Sequence, residues 1–301
     1  MSNSSRRQFF RSAAALGAAG LTFSPKDGLA ADGRDPLAGW INHDLHTHTT
    51  WSDGAHSLPL HVLEARAYEL DAMAVTDHYG PGQKLHDSEE QFEAYLKEIE
   101  LLRAGQDDCR VIAGVEAAAL DATGRISIGP RHAERLEWVL CDLGGRSEGT
   151  LRNTPADKQT YMENVVRTYL GLCDVEYLDG IAHPFNTGNT QPAAAPADYP
   201  ERLLRELAAK MAEKGKVFDI INCTVFWFQK TSVPPREVTA QYVEMVKLFA
   251  AEGVKFQVSS DDHRTGLGNT RWSQIVVTRA EVPPAQIVDA MAIPLKARLS
   301  A

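Results

Sequence analysis

Short apolar runs alternate with longer amphipathic segments along most of the chain. Seven of the runs are rich in Val, Ile and Ala, and turn residues or polar segments bound most of them. They predict strands at Ile41–His46, Ala72–Thr76, Val111–Val115, Trp138–Cys141, Gly180–Ala182, Val217–Asn222 and Phe256–Ser259. Strands of this composition are typical of parallel sheets, in which both faces are buried.

Five segments between these strands carry apolar residues at helical spacing. The stripes contain Leu60, Leu63, Ala67 and Leu70, then Phe92, Tyr95, Leu96, Ile99 and Leu102, then Val165, Val166, Tyr169 and Leu170, then Leu203, Leu204, Leu207 and Met211, and last Val243, Val246, Leu248 and Phe249. Strands and helices in regular alternation predict a parallel α/β sheet, either open or closed into a barrel. Seven strands after residue 40 fit one barrel better than two separate domains.

Two irregular stretches each follow a predicted strand directly. Asn186–Pro200 is rich in Ala, Pro and Asn, whereas Thr224–Pro235 carries Trp227 and Phe228. In a barrel, both stretches lie on the C-terminal rim. The two aromatic side chains could stack on a ring of a substrate or pack in the core.

The first 31 residues have the pattern of a removable export signal. Arg6 and Arg7 come first, an apolar run follows, and small residues end the segment. Paired arginines are typical of the twin-arginine machinery, which predicts a periplasmic protein. We therefore expect the signal at 1–31, a linker at 32–40 and one folded domain at 41–301. No stable membrane anchor is expected, because no stretch has the roughly 18 apolar residues that a membrane span requires.

The net charge becomes more negative once this leader is set aside. The whole chain has 31 basic and 40 acidic residues and a formal net charge of −9. Residues 1–31 hold four basic residues and one acidic residue, so the remainder has 27 basic and 39 acidic residues, a net charge of −12. Such a surface repels polyanions and excludes long nucleic acid as an expected partner. The four cysteines form no CxxC pair, which disfavours a thiolate zinc site.

The strongest local signal is the segment from Asp44 to Gly54, DLHTHTTWSDG. His46 and His48 stand two positions apart on a predicted strand, so their side chains project from one face and can reach one metal ion. Gly54 marks a turn that can bring Asp53 back towards this pair. A His-x-His pair alone is a weak signal, because two half-exposed strand histidines have the same pattern.

Metal-binding residue types also stand at the ends of four further predicted strands. These ends are Thr76-Asp77-His78, Gly114-Val115-Glu116, Ala182-His183-Pro184 and Ser259-Ser260-Asp261-Asp262-His263. Residues at the carboxyl ends of parallel strands meet at one rim, where barrel active sites form. Five strand ends thus predict one shared metal site, and strand alternation turns Asp262 away from it. We interpret the other histidines as packing or surface residues, namely His43, His56, His61 and His86.

In order and spacing, these motifs resemble those of the polymerase-and-histidinol-phosphatase (PHP) superfamily. The resemblance runs from His46-Thr47-His48 to Asp261-Asp262-His263, over essentially the whole predicted domain. It implies a distorted seven-stranded (β/α)7 TIM-like barrel and hydrolysis of phosphate esters. It also implies two or three divalent metal ions, usually zinc, manganese or iron, and mixed imidazole and carboxylate ligands suit the same metals.

The resemblance further implies three groups of metal ligands. His46, His48, Glu116 and Asp261 would surround one ion, Glu116 would bridge to a second ion held by His183 and a further histidine, and Asp53, His78 and His263 would hold a third. His132 is the candidate for the further histidine, although it stands in a polar segment after Glu116. Asp142, at the end of the fourth predicted strand, is the alternative.

The sequence thus predicts a metal-dependent phosphoesterase that hydrolyses a small phosphate mono- or diester with metal-activated hydroxide. Arg264, Arg125 and Arg131 could contact the phosphate of such a substrate or remain solvated surface residues. Two alternatives stay open. One is a metal-dependent hydrolase of amides or carboxylic esters on a related barrel, and the other is a periplasmic metal-binding protein without catalysis.

Overall fold

Parallel strands follow one another around an almost closed barrel in the computed structural model, which describes residues 39–104, 108–145 and 147–296. The strands are β1 His43–Thr47, β2 Ala72–Val75, β3 His78–Tyr79, β4 Arg110–Ala118, β5 Trp138–Asp142, β6 Gly180–Ile181, β7 Val217–Ile221 and β8 Lys255–Ser259. Their hydrogen-bonded order is β1-β2-β4-β5-β6-β7-β8, and β3 also pairs with β4. All seven predicted strands are confirmed, whereas the two-residue β3, which sets His78 opposite Glu116, was not predicted.

The first and last strands meet at their carboxyl ends. The backbone N–H of His48 donates to the carbonyl of Asp262 at 2.9 Å, and that of Asp261 donates to the carbonyl of His46 at 3.0 Å. Thr47 and Asp262 form a parallel bridge at the same place. These bonds favour the barrel over the open sheet and set the first and last motifs side by side. The predicted leader and most of the linker lie outside the described residues.

Eight α-helices occur in the part of the chain that the structure describes. They are α1 Leu58–Ala67, α2 Lys84–Asp87, α3 Glu89–Arg103, α4 Pro130–Ala133, α5 Lys158–Cys173, α6 Glu201–Lys214, α7 Pro235–Ala251 and α8 Arg271–Arg279. The five predicted helical segments correspond to α1, α3, α5, α6 and α7. Within the described residues, no helix combines the length and apolar character that a membrane span requires.

Helix α1 turns a different face to the barrel from the one that its predicted stripe indicates. Leu60 and Leu63 are 41% and 60% exposed, whereas Leu58 and Val62 are buried. Both sets of residues have helical spacing, so periodicity alone does not select the buried face. The face that packs inward also carries His61, which is fully buried.

Successive residues of the strands contribute to two separate apolar cores. In β2, Ala72 and Ala74 join a small cluster formed mainly by the strands themselves. Met73 and Val75, which alternate with them, join the larger cluster that packs against the helices. Burial of both faces explains the continuous apolar runs, and it holds the strand ends on a rigid support.

Candidate metal centre

Four ligand atoms from the ends of β1, β4 and β8 lie close together on the rim. His46 Nε2 is 3.1 Å from His48 Nε2, and each of them is 3.5 Å from Glu116 Oε2. Asp261 Oδ1 lies 3.5 Å from His46 Nε2 and 3.2 Å from His48 Nε2. Ligand atoms around a tetrahedral ion, each about 2.1 Å from it, are roughly 3.4 Å from one another. These four side chains therefore have the spacing of a single metal site.

The second oxygen of Glu116 faces another group of ligand atoms. Glu116 Oε1 is 3.1 Å from Nε2 of His183, which follows β6. Asp142, the last residue of β5, offers an oxygen within 4.8 Å of both. Burial and the nearby charge of Glu116 raise the pKa of Asp142 to about 6. A carboxylate that faces two groups in this way can bridge two ions.

A third group surrounds Asp53 in the turn after β1. Asp53 Oδ2 is 3.6 Å from His78 Nε2, and Asp53 Oδ1 is 3.4 Å from His263 Nε2 and 3.9 Å from His48 Nδ1. The rings of His48 and His263 stack with centroids 4.1 Å apart. The structure therefore brings together eight of the nine predicted ligands, and it adds Asp142 to them.

The polar atoms of this centre fit divalent cations. Nδ1 of His48 is buried and has no hydrogen-bond partner among the described residues, and the buried oxygens of Glu116 face His78 Nδ1 at 2.8 Å and His183 Nε2 at 3.1 Å. Buried polar atoms in folded proteins are nearly always paired, so unpaired atoms need an explanation. Imidazole and carboxylate donors directed at one another across about 3 to 4 Å suit zinc, manganese or iron.

The electrostatics of the centre point to proton release on cation binding. Burial alone lowers the pKa of His46, but the negative charges of Glu116, Asp261 and Asp219 hold that pKa well above its ordinary value. Burial alone raises the pKa of Glu116, but the charges of His46 and His78 hold it well below its ordinary value. Protons on the imidazoles thus neutralise the carboxylates, and a bound cation takes over that role.

Asp219, in β7, fixes His46 from the side opposite the centre. Its Oδ2 lies 2.7 Å from His46 Nδ1 and 3.3 Å from the backbone nitrogen of His183. Its Oδ1 accepts hydrogen bonds from the Gln257 amide at 2.8 Å and from the Ser259 hydroxyl. A carboxylate in this place sets the tautomer and orientation of a metal-binding imidazole. Asp219 was not among the predicted site residues, although a carboxylate inside the apolar run of β7 was an available signal.

The turn that carries Asp53 is tied to the end of β2 by the buried Asp77. That carboxylate accepts hydrogen bonds from the backbone N–H and the hydroxyl of Thr49, both at 2.8 Å, and from the Ser52 hydroxyl at 2.6 Å. Gly54 is required in this turn because a Cβ there would lie 2.3 Å from the His48 carbonyl oxygen. The motif SDG therefore supplies both a candidate ligand and the close turn that returns it to the centre.

The backbone at two of the converging residues is unusual. His183 has a φ of 30° and Asp261 has a φ of 55°. Non-glycine residues adopt positive φ values at a cost of about 1–3 kcal/mol, and they do so most often at functional sites. The hydrogen bonds of His183 to Asp219 and of Asp261 to His46 hold these conformations in place.

His132 does not lie in the centre, which corrects the preferred interpretation of the second group. Its Nε2 is 2.7 Å from Glu89 Oε2, and its ring contacts those of Tyr79 and Phe92. Helix α4, which carries His132, directs the side chain towards α3. Asp142, the alternative candidate, lies beside Glu116 and His183.

The arginines and aromatic residues that were considered as substrate contacts differ in their burial and in their partners. Arg125 pairs with Asp121 and Arg131 with Glu89, so these two arginines lie in surface ion pairs. Arg264 is exposed and directly follows His263. Phe228 is buried in the core, whereas the Trp227 ring stacks 6.3 Å from that of His183.

A cavity of about 290 Å³ opens beside the second group. His78, Glu116 and Asp142 form one side of it, and Tyr79 and Gly144 contribute to the remainder. Three of the converging side chains thus line a space that a small molecule can enter.

The fold and this site define an α/β-barrel protein with a clustered metal centre. Residues 44–259 match the PHP domain model, which covers most of the chain. The chain therefore belongs to the PHP domain family, and the resemblance drawn from the motifs is confirmed.

Relatives of known sequence and structure extend this comparison. The chain is 31% identical over 228 residues to a probable phosphatase of Acetivibrio thermocellus, and this alignment covers 73% of this chain and 78% of the relative. It is 26% identical over 252 residues to a probable phosphatase of Caldicellulosiruptor bescii, with coverages of 83% and 92%. Histidinol phosphate phosphatase from Lactococcus lactis, solved with zinc, L-histidinol and phosphate, has a TM-score of 0.60 at 19% identity, over 81% of this chain and 95% of that one. The last similarity confirms the barrel fold.

Proposed function

We propose that the chain is a metal-dependent phosphoesterase that acts on small phosphate esters. One observation carries the proposal: ligand atoms of His46, His48, Glu116 and Asp261 are separated by 3.1–3.5 Å. The Glu116 carboxylate also faces imidazole nitrogens of His78 and His183, at 2.8 Å and 3.1 Å. The similarity to two probable phosphatases supports the same chemistry.

The proposed cofactors are two or three divalent ions of zinc, manganese or iron. His46, His48, Glu116 and Asp261 would hold the first ion, Glu116, Asp142 and His183 the second, and Asp53, His78 and His263 the third. When bound, such ions lower the pKa of a coordinated water from about 15.7 to roughly 7 and neutralise the oxygens of a phosphate.

Groups of the protein itself orient this chemistry. The Nδ1–H of His46 donates to Asp219, so Nε2, which faces Glu116, is the nitrogen that would bind a metal ion once its proton is released. The hydrogen bonds of Asp77 hold the turn that carries Asp53. Because Asp77 and Asp219 are both buried, the ligand groups are preorganised before a substrate arrives.

The size of the cavity and the charge of the chain limit the substrate. A space of about 290 Å³ beside Glu116 accommodates a phosphate group with a small alcohol attached. The net charge of −12 on residues 32–301 opposes the approach of long polyanions. We therefore propose a small phosphate mono- or diester as the substrate.

Hydrolysis of p-nitrophenyl phosphate and bis-p-nitrophenyl phosphate tests the proposal. We expect turnover with manganese or zinc and its loss after chelation, and the ratio of the two rates gives the mono- or diester preference. Glu116→Gln keeps the size of the side chain but removes the charge shared by two groups. It should lower kcat/KM about 10³-fold, which corresponds to about 4 kcal/mol of transition-state stabilisation. His86→Gln, outside the centre, should retain the rate of the unaltered chain.

Three results would contradict a phosphoesterase. Equal rates before and after removal of metal by a chelator would remove the metal requirement. Turnover of amides or acetate esters, without turnover of phosphate esters, would favour a different hydrolase. Full metal occupancy without hydrolysis of any ester would favour a metal-binding protein.

We also propose that the twin-arginine machinery exports the chain to the periplasm. Arg6 and Arg7 before an apolar run support this proposal, and a pathway for folded proteins permits metal loading before transport. Replacing both residues with lysine should leave the protein in the cytoplasm, as measured by cell fractionation. Arg11→Lys, outside the pair, is the matched control. Unchanged periplasmic location of the double variant would refute the pathway.

A further inference from the structure

A second cluster of metal-binding side chains lies outside the centre described above. His56 stands just before α1, and His61 and Glu64 lie one turn apart on that helix. His56 Nδ1 is 3.2 Å from Glu64 Oε2, and His61 Nδ1 is 4.0 Å from the same oxygen. One ligand atom from each of the three residues lies within 4.8 Å of the others.

The burial of His61 is the second, independent observation. Its side chain is fully buried, and neither ring nitrogen has a hydrogen-bond partner among the described residues. On the other side of the ring, Nε2 lies 3.5 Å from Oδ2 of Asp262, which is also buried and unpaired in the described part of the chain. Asp262 thus faces Nε2, and the unpaired Nδ1 of this buried imidazole is not explained by packing alone.

We propose that His56 Nδ1, His61 Nδ1 and Glu64 Oε2 bind one divalent cation, separate from the catalytic centre. The two measured separations, 3.2 and 4.0 Å, lie on either side of the roughly 3.4 Å expected between ligands of a tetrahedral zinc ion. His56 and Glu64 are 22% and 23% exposed, so water can reach the ion and complete its coordination.

Asp262 fits this site as the partner of the buried imidazole. An imidazole that binds a metal through one nitrogen usually donates the N–H of the other to a carboxylate. Asp262 Oδ2 stands where the N–H of His61 Nε2 can meet it. Its other oxygen accepts hydrogen bonds from the backbone N–H groups of Arg264 and Gly266, at 3.0 Å and 2.5 Å. The cation is thereby linked to the segment that carries two ligands of the catalytic centre.

The position of the cluster gives the cation a supporting role. The His56 carbonyl accepts a hydrogen bond from Thr50 N–H at 2.9 Å, and Ala55 N–H donates to the carbonyl of His263 at 2.7 Å. An ion bound by His56 and α1 thus fixes the loop that presents Asp53. It acts on the geometry of the centre without contacting the substrate.

The metal content of purified variants tests this site. His56→Gln and Glu64→Gln should each contain one metal ion per chain fewer than the unaltered protein, as measured by elemental analysis after gel filtration. His86→Gln is the matched control, since His86 is 28% exposed and its Nδ1 lies 2.7 Å from the Asp87 carboxylate. That variant should retain the full metal content.

A second measurement does not depend on the folding of any variant. Crystals of the unaltered chain grown with zinc should give an anomalous density peak between His56, His61 and Glu64. Equal metal content in all four proteins would overturn the proposal, and so would the absence of that peak at saturating zinc. Neither result bears on phosphate-ester hydrolysis, which the activity screen tests separately.

Discussion

At the scale of single residues, Asp219 determines which ring nitrogen of His46 is free to bind a metal ion. Asp219 Oδ2 lies 2.7 Å from Nδ1 in a fully buried pair, so the carboxylate favours the tautomer that is protonated at Nδ1. An amide in the same place can present its own N–H group to Nδ1. The ring would then be protonated at Nε2, and the atom that faces Glu116 would no longer be a metal ligand.

Asp219→Asn should therefore lower metal affinity and kcat together, each by about 10–100-fold. Metal titration and steady-state kinetics measure the two effects. Asp179→Asn is the control, because that carboxylate accepts the N–H of Val139 at the start of β5, away from the ligands. A drop in stability without a change in metal affinity is expected there. Unchanged metal affinity in Asp219→Asn would show that the contact of Asp219 with His46 contributes to packing but not to metal binding.

The composition of the second ligand group gives another prediction. Asp142→Asn should remove one metal ion per chain and lower kcat/KM by at least about 10-fold, because the carboxylate faces Glu116 and His183. His132→Gln should change both quantities by less than about 3-fold, since His132 contacts Glu89 on the helical side. Elemental analysis and kinetics on both variants measure these changes. The opposite pattern would restore His132 as the ligand.

Residue type and position predicted most of the centre because most of the candidate ligands stand at or near the end of a strand. Parallel strands deliver such residues to one rim whatever the length of the helices between them. Asp219 was missed because its contact with His46 crosses 173 positions of sequence and belongs to no motif. The position of His132 was not predictable because distance along the chain from Glu116 does not reveal which way a short helix turns its side chains.

At the scale of elements, the turn after β1 is the most constrained connection of the centre. Gly54→Ala would place a Cβ 2.3 Å from the His48 carbonyl oxygen. That oxygen belongs to the backbone, which cannot move aside as the end of a flexible side chain can. The turn should shift and move Asp53 away from its imidazole partners. We expect a loss of about 1–3 kcal/mol in stability and roughly 100-fold in kcat.

Urea unfolding and kinetics of Gly54→Ala measure these two effects. Gly129→Ala is the matched control, because a Cβ at Gly129 meets no atom within 4 Å among the described residues. That variant should retain both stability and activity. Unchanged kcat in Gly54→Ala would mean that the position of Asp53 has no influence on catalysis.

The elements were predictable to different degrees for a physical reason. Strands that are buried on both faces have short continuous apolar runs, which differ from the spaced apolar residues of the helices. All seven predicted strands therefore correspond to strands of the structure. Helix α1 has two apolar faces at helical spacing, one with Leu60 and one with Leu58, and only contact with the barrel selects between them. The two-residue β3 is too short to show a pattern in the sequence. It is a strand only because His78 pairs with Glu116 of β4.

At the scale of the whole molecule, the centre forms only when the first strand, β1, meets the last strand, β8, and the barrel closes. Asp44 in β1 accepts a hydrogen bond from the backbone of Ser260, which is 216 positions away in sequence. Candidate ligands at the ends of β1 and β8 then lie beside Glu116 of β4. Metal binding and barrel closure are therefore coupled, and a bound cation stabilises the closed barrel by mass action.

Acid stability of the barrel depends on His43, at the start of β1 and away from the ligands. His43 is buried, and its Nε2 has no hydrogen-bond partner among the described residues. Burial lowers the pKa of His43 from 6.5 to about 4, against the opposing charge of Asp289. The unfolded chain therefore binds a proton between these pH values that the folded chain excludes. Stability from this residue is fully present above pH 6.5, falls as the pH drops from 6.5 towards 4, and is fully lost below pH 4.

His43→Gln removes this titration and should flatten the pH dependence of unfolding. A pKa lowered from 6.5 to about 4 corresponds to a loss of about 3 kcal/mol once the pH is below 4. Urea unfolding with a chelator present, at pH 7 and at pH 4.5, gives the free energy of unfolding of both proteins. The variant should lose about 2–3 kcal/mol less than the unaltered chain between the two conditions. Parallel losses would mean that His43 gains its proton without unfolding the barrel, and that the start of β1 is open to water.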